Sequence, residues 1–320
     1  MKKIRKGYVS LVLVLLLIVG LVTGCNSAGT GKTGDAEGYT FGATYWTMNN
    51  PYFVALEDGI RTAVEANGDK LTSYDPQGNQ STQISQIEDL IAQDVDLIFL
   101  NPCDWQGVRP ALDAAQKAGI PIIVVDTPVY DTDLVLQTVW SDNYLAGELV
   151  AEDLLTHMTS GNLIILDLPT DKSATDRYNG FVDTIEKAGG FTILDVQNGE
   201  GATEKSLAIM DDIVQAYSDK IDAVFGINDP SALGIMSSLE AANLKDVLLY
   251  GVDGSPDAKA MIKDGKITAT SAQFPKEIGK IAVEQAYKHL SGEKIVEEIL
   301  VPVELVNSAT LSNYTIDDWE

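Results

Sequence analysis

Four polar residues, each ending a short apolar run, carry the first chemical information in this chain. Asn101 follows Leu97-Ile98-Phe99-Leu100, and Asp126 follows Ile122-Ile123-Val124-Val125. Asn228 follows Ala223-Val224-Phe225-Gly226-Ile227 and Asp253 follows Val247-Leu248-Leu249-Tyr250-Gly251-Val252, so each type recurs 127 residues further on. Short apolar runs of this kind read as buried parallel strands. In open α/β sheets, ligands bind at the carboxyl ends of such strands. An amide and a carboxylate repeated at two edges predict two similar lobes facing each other across a cleft. Asx residues before Pro or Gly also make turns and caps, as in Asn101-Pro102 and Asp253-Gly254. Capping is the stronger reading for any one of them; four at matched positions favour a ligand site.

The chemistry suits a polyhydroxylated ligand. A hydroxyl both donates and accepts, so carboxylates, amides and a guanidinium fork can each take two hydroxyls at once. Arg177 can supply the fork and Gln273 a further amide. Trp46, Tyr52, Phe53 and Trp105 all lie just after strand ends, where rings could pack on the C–H faces of a sugar. Such rings are more often core, but Trp46 and Trp105 fall in turns. There is no nucleophile–base pair, no metal-ligand spacing around His157 or His289, and no phosphate loop. The first strand leads into Gly42-Ala43-Thr44-Tyr45-Trp46-Thr47 and not into Gly-x-Gly-x-x-Gly. A binding protein is expected, with no catalytic residues, no metal and no cofactor.

The elements that must position these residues alternate steadily. Strands are expected at Phe41–Tyr45, Leu71–Tyr74, Leu97–Leu100, Ile122–Val125 and Gln137–Trp140, with helices at Tyr52–Ala66, Thr82–Ala92 and Val108–Ala118. A second series begins with a helix at Leu145–Met158. It continues with strands at Leu163–Leu166, Thr192–Val196, Ala223–Phe225 and Val247–Tyr250. The βα alternation predicts parallel sheets covered on both faces. The segment Gly59–Gly68 is echoed by Gly180–Gly189 at an offset of 121, as expected of related lobes that differ by a short insertion.

With these residues in place the chain resembles a known family, the type I periplasmic sugar-binding proteins of the ribose-binding subgroup, which serve ABC importers. The marks are Asn49-Asn50-Pro51-Tyr52-Phe53, Asn101-Pro102, Val125-Asp126, Arg177-Tyr178-Asn179-Gly180-Phe181, Asn228-Asp229, Gly251-Val252-Asp253-Gly254 and Ala272-Gln273. The resemblance implies two Rossmann-like lobes joined by three crossing segments, near Ser141–Asn143, Gln273–Pro275 and Val303–Glu304. It implies a first lobe of residues 40–141 plus 274–303 and a second of 142–273 plus 304–320. Carried over by position, the ligand residues are Asn50, Tyr52, Phe53, Asn101, Asp126, Arg177, Asn228, Asp253 and Gln273; Trp46 and Trp105 join them as candidates. Thr127 stands where ribose binders have Arg, and Gly201 and Val252 stand near positions that usually carry Phe. Ribose itself is therefore no better supported than another monosaccharide or a polyol.

The ends and the composition bound location and partners. Lys2, Lys3, Arg5 and Lys6 precede an apolar stretch from Tyr8 to Val22, and Val22-Thr23-Gly24-Cys25 resembles a bacterial lipobox. A leader over 1–24, lipid on Cys25 and a flexible tether over 25–39 are expected. These place the body outside the cytoplasmic membrane. Without the leader, 18 Lys and Arg face 47 Asp and Glu, a net charge near −29, which disfavours nucleic acid as a partner. One cysteine beyond Cys25, Cys103, leaves no intramolecular disulfide framework. The expected partners are a sugar or polyol, the permease subunits of an ABC importer, and the membrane through Cys25, with the chain itself a monomer. A sensor that presents its ligand to a membrane receptor is the alternative, because import and sensing use the same ligand-bound form.

Overall fold

The computed structural model of the chain describes residues 38–319. The leader, Cys25 and most of the tether lie outside the described residues. Among the described residues, no helix is long and apolar enough to cross a membrane.

Two six-stranded sheets organise the body. The first series runs β1 (Thr40–Thr44), α1 (Pro51–Ala66), β2 (Lys70–Tyr74), α2 (Gln80–Ala92), β3 (Leu97–Leu100), α3 (Arg109–Ala118), β4 (Ile122–Val125) and β5 (Gln137–Ser141). The second opens with α4 (Asn143–His157), β6 (Gly161–Asp167), α5 (Lys172–Ala188), β7 (Phe191–Asn198) and α6 (Thr203–Tyr217). It continues with β8 (Ala223–Gly226), α7 (Asp229–Ala241), β9 (Leu248–Asp253), α8 (Pro256–Lys263) and β10 (Ala269–Ala272). The chain then returns through α9 (Pro275–Leu290) to β11 (Glu298–Val301) and ends its regular structure at β12 (Glu304–Asn307).

The first sheet is wholly parallel, in the order β11-β5-β4-β3-β1-β2. The second has the order β12-β10-β9-β8-β6-β7 and is parallel except where β12 runs against β10. The expected parallel sheets thus form, with one antiparallel edge added to the second. The β10 strand, Ala-Thr-Ser-Ala, had no apolar run to announce it. It is fully buried because its small side chains fit between neighbouring elements. The chain crosses between the sheets three times: after Ser141, after Ala272, and between Val301 and Glu304.

Each sheet is covered on both faces. On one face of the first, α1 brings Phe53, Leu56, Ile60 and Val64 at helical spacing onto Phe41, Phe99 and Val125, and α9 adds Ile278 and Ala282. On the other, Ile87 and Leu112 cover Ile98 and Val124. The second sheet lies between α4 with α5 and the group α6, α7 and α8.

Glycines let paired helices touch backbone to backbone. A Cβ on Gly147 of α4 would meet the Arg177 carbonyl oxygen at 2.0 Å, and one on Gly180 of α5 would meet the Tyr144 carbonyl oxygen at 2.0 Å. In the first lobe, a Cβ on Gly59 would lie 2.4 Å from the Lys276 carbonyl oxygen. The α4–α5 contact sets how deep Arg177 sits. Because a fixed backbone cannot yield to a methyl group, Gly180→Ala should lower unfolding free energy by about 1–3 kcal/mol. Urea denaturation measures this; unchanged stability would show that the helices do not meet at Gly180.

Candidate functional site

The carboxyl ends of β3, β4, β8 and β9 meet where the two sheets face each other. Asp126 follows β4 with φ 68° and Asp253 ends β9 with φ 143°. Both are positive-φ conformations, which non-glycine residues adopt rarely and Asp more readily than most. Both side chains are nearly fully buried.

Asn101 ties three strand ends together. Its Oδ1 accepts from the Trp46 backbone N–H at 2.9 Å, and its Nδ2 donates to Asp126 Oδ2 at 3.1 Å and to the Val125 carbonyl at 3.3 Å. Both of its amide protons are thus spent within the protein. The Thr127 hydroxyl lies 3.2 Å from Asp126 Oδ2, 3.0 Å from Asp171 Oδ2 and 3.3 Å from Ser173 Oγ. It has one proton to give, so it serves one carboxylate at a time. Ser173 Oγ donates to the Asp126 carbonyl at 3.0 Å. These contacts join the two lobes, since Asp171 caps α5 and Ser173 lies in its first turn.

The second lobe centres on Arg177. Its Nε donates to Asn143 Oδ1 at 2.7 Å and its Nη1 to the Ile227 carbonyl at 3.2 Å, while Asp253 Oδ1 lies 3.6 Å from Nη1. Gln273 Nε2 donates to Asp253 Oδ1 at 2.8 Å, and Tyr52 hydroxyl approaches Gln273 Oε1 at 3.4 Å. Behind them Asp229 accepts from Thr270 Oγ1 at 2.6 Å and from the Ser255 N–H at 2.7 Å. Asn228 caps α7 by accepting from the Ser231 N–H, and its Nδ2 donates to the Gly201 carbonyl at 3.0 Å.

Two adjoining cavities lie between the lobes. The inner one, about 40 Å³, is lined by Trp46, Asn50, Tyr52, Phe53, Asp126, Thr127, Leu168, Asp171, Ser173, Ala174, Arg177, Ile227, Asn228, Asp253 and Gln273. The outer one, about 600 Å³, shares Trp46, Asn50 and Asp253 and adds residues of the α6, α7 and α8 starts and Trp319. Nine of the eleven expected ligand residues therefore line the inner cavity. Asn101 stands behind Asp126 and lines neither. Trp105 also lines neither: its carbonyl accepts from the Tyr130 N–H and its ring meets Tyr130 edge-on at 5.6 Å. The lining residues that the sequence reading did not propose as ligand residues include Asp171, Thr127 and Ser173. An Asp before a helix reads as a cap, and Asp171 is one, so its second role left no separate signal.

Burial dominates the electrostatics. It pushes Asp126 up to about 6, helped by Asp171 and opposed by Arg177. It pushes Asp253 up to about 8; Arg177 and Gln273 oppose the rise while Asp229 and Asp126 add to it. Burial also raises Asp171 and Asp229, and holds the Cys103 thiol at about 12, too high for a nucleophile. Among the described residues no group of three or more His, Cys, Asp or Glu is placed to hold a metal ion.

The comparisons with known proteins fit this geometry. The model of the periplasmic binding protein domain matches residues 41–294. The chain belongs to this family. It is similar to the ribose import binding protein RbsB of Bacillus subtilis, 33% identical over 307 residues, which covers 94% of this chain and 98% of that protein. Among solved structures it is similar to a galactofuranose binding protein, with a TM-score of 0.83 at 26% identity over 86% of this chain and 97% of that one. It is also similar to an ABC transporter solute binding protein of Bacillus halodurans with bound myo-inositol, with a TM-score of 0.82 at 27% identity over 88% and 99%. The family member described here is thus a two-lobed type I periplasmic sugar-binding protein, a binding protein and not an enzyme.

Because Asp253 and Asp126 release protons at higher pH when folded than when unfolded, their contribution to stability is full in acid. It is lost as pH rises through about 6 for Asp126 and about 8 for Asp253. The melting temperature of the ligand-free chain should therefore fall between pH 5 and pH 8, and Asp253→Asn should flatten the fall. Melts at stepped pH test this; an unaltered slope in the variant would assign the fall to other groups.

Proposed function

We propose that this protein is an extracytoplasmic, lipid-anchored solute-binding protein that captures a monosaccharide or related polyol between its lobes and delivers it to an ABC importer. One observation carries the reading. Asn50, Phe53 and Asp126 of the first lobe face Arg177, Asn228 and Asp253 of the second across one cavity, with Gln273 at a crossing segment. A ligand there would bond to both lobes at once, and its differential affinity for the approached lobes would favour them over the separated ones.

Each side chain has a part suited to a hydroxyl-rich ring. Asp126 and Asp253 accept from adjacent hydroxyls, and the Arg177 guanidinium donates as a planar fork. Trp46 and Phe53 meet edge-on at 5.9 Å, and Tyr52 and Phe53 at 5.3 Å, forming an aromatic corner for apolar C–H faces. Asn101 acts through Asp126, which it orients. The relatives' names support a sugar or polyol and point to transport as the setting.

A thermal-shift screen of the full-length chain against pentoses, hexoses and polyols should raise the melting temperature for at least one compound by mass action. For that compound, Asp126→Ala and Asp253→Ala should each cost about 2–5 kcal/mol of binding, as for truncation of a buried charged partner. Normal binding by both variants would reject the site. The lipid anchor rests on the Val22-Thr23-Gly24-Cys25 motif. Cys25→Ala should move the protein out of the membrane fraction of a bacterial host, and unaltered fractionation would reject the anchor.

A further inference from the structure

The inner cavity gathers more carboxyl groups than its single guanidinium can pair, even with Asp253 held protonated below about pH 8 by burial. Three carboxylates, Asp126, Asp171 and Asp253, line it against the single guanidinium of Arg177, and buried Asp229 adds a fourth behind. Arg177 lies nearest Asp253, while Asp126 and Asp171 share the one hydroxyl of Thr127 and otherwise accept from neutral groups such as Asn101 Nδ2 and the Ala174 N–H.

The supply of donors tells the same story. Ionised carboxylates only accept. Gln273 Nε2 gives one proton to Asp253, Asn228 Nδ2 one to the Gly201 carbonyl, and Arg177 Nε its own to Asn143. A ligand group that reaches Asp126 and Asp171 must bring donors of its own, and an ammonium brings three and no acceptor. The aromatic walls agree independently: Trp46, Tyr52 and Phe53 offer ring faces or edges on the same cavity, and a ring face attracts a cation. So does the way in. Among the described residues, the outer cavity is lined by Glu204, Asp253 and Asp257 and by no Lys, Arg or His, a field that concentrates cations at its mouth. The carboxylates are not grouped to hold a metal ion, so the missing charge belongs to a molecule that spans them.

We propose that the ligand is a hydroxylated amine of the amino-sugar class, its ammonium seated between Asp126 and Asp171 and its hydroxyls on Arg177 and Asp253. This rests on the reading of the cavity as a site for a hydroxyl-rich ring and names the group that the ring carries. Asp171 is then a specificity-determining residue, supplied by the second lobe to charge held on the first.

Calorimetric titration of the full-length chain at pH 6.5 tests it. The probes are D-glucosamine, D-galactosamine, D-mannosamine and the open-chain amine glucamine. Each is compared with its neutral parent, and the three amino sugars also with their N-acetyl forms. At least one amine should bind at least about tenfold more tightly than both its parent and any N-acetyl form, the lower end expected for a buried charged pair. Asp171→Asn, which keeps an acceptor for the α5 cap, should cut that ratio at least fivefold. If neutral sugars or polyols bind and no amine gains tenfold, the charge inference is overturned while the sugar-site reading stands. An undiminished ratio in Asp171→Asn overturns the role of that residue. If no compound binds, amine or neutral, both readings fall together.

Discussion

The site depends on one guanidinium placed among buried carboxylates. Arg177 lies 3.6 Å from Asp253 and opposes the upward shift of Asp126, Asp171, Asp229 and Asp253. Its own position is fixed by two neutral acceptors, Asn143 and the Ile227 carbonyl. These leave its charge uncancelled while orienting the planar fork. The depth of α5 against α4, set where Gly147 and Gly180 allow backbone contact, puts the guanidinium within reach of β9. Helix packing and site electrostatics are therefore one constraint. A bulkier residue at that crossing would move the one cation that lines the inner cavity among the described residues.

The sequence disclosed the scaffold because burial left a plain trace. Leu97–Leu100 and Ile122–Val125 are apolar without interruption, as strands buried on both faces must be, and they form strands at those bounds. The edges were less legible. β10 is buried but carries Thr270 and Ser271, so its composition reads as a loop. β11 and β12 are short and half exposed. In each case tertiary contact supplies the strand, and no local pattern records it.

The site was legible where one residue does one job. Asp126 and Asp253 stand at strand ends and Arg177 in the second turn of a helix, with no other chemistry to explain them. Asn101 matches Asn228 in sequence, yet one spends its amide on a neighbouring carboxylate and the other on a helix cap and a carbonyl. Matched positions therefore do not guarantee matched contacts. Trp105 lay in a suitable place along the chain, but its loop turns the ring onto Tyr130. Trp319 lines the outer cavity and meets Tyr52 edge-on at 5.8 Å, although 267 residues separate them in the chain. No local pattern announces a contact that distant.

The three crossings carry a consequence for the order in which the molecule can be completed. The first sheet needs β11 at its edge, and its aromatic face needs Ile278, Ala282, Val283 and Ala286 of α9. All of these are made after the whole of β6 to β10. Until residue 301 is available, Phe41, Phe99 and Val125 lack part of their cover. The amino-terminal lobe is begun first and finished late, so chain growth and lobe completion run out of step. A polypeptide built this way keeps its first lobe unfinished through most of its synthesis.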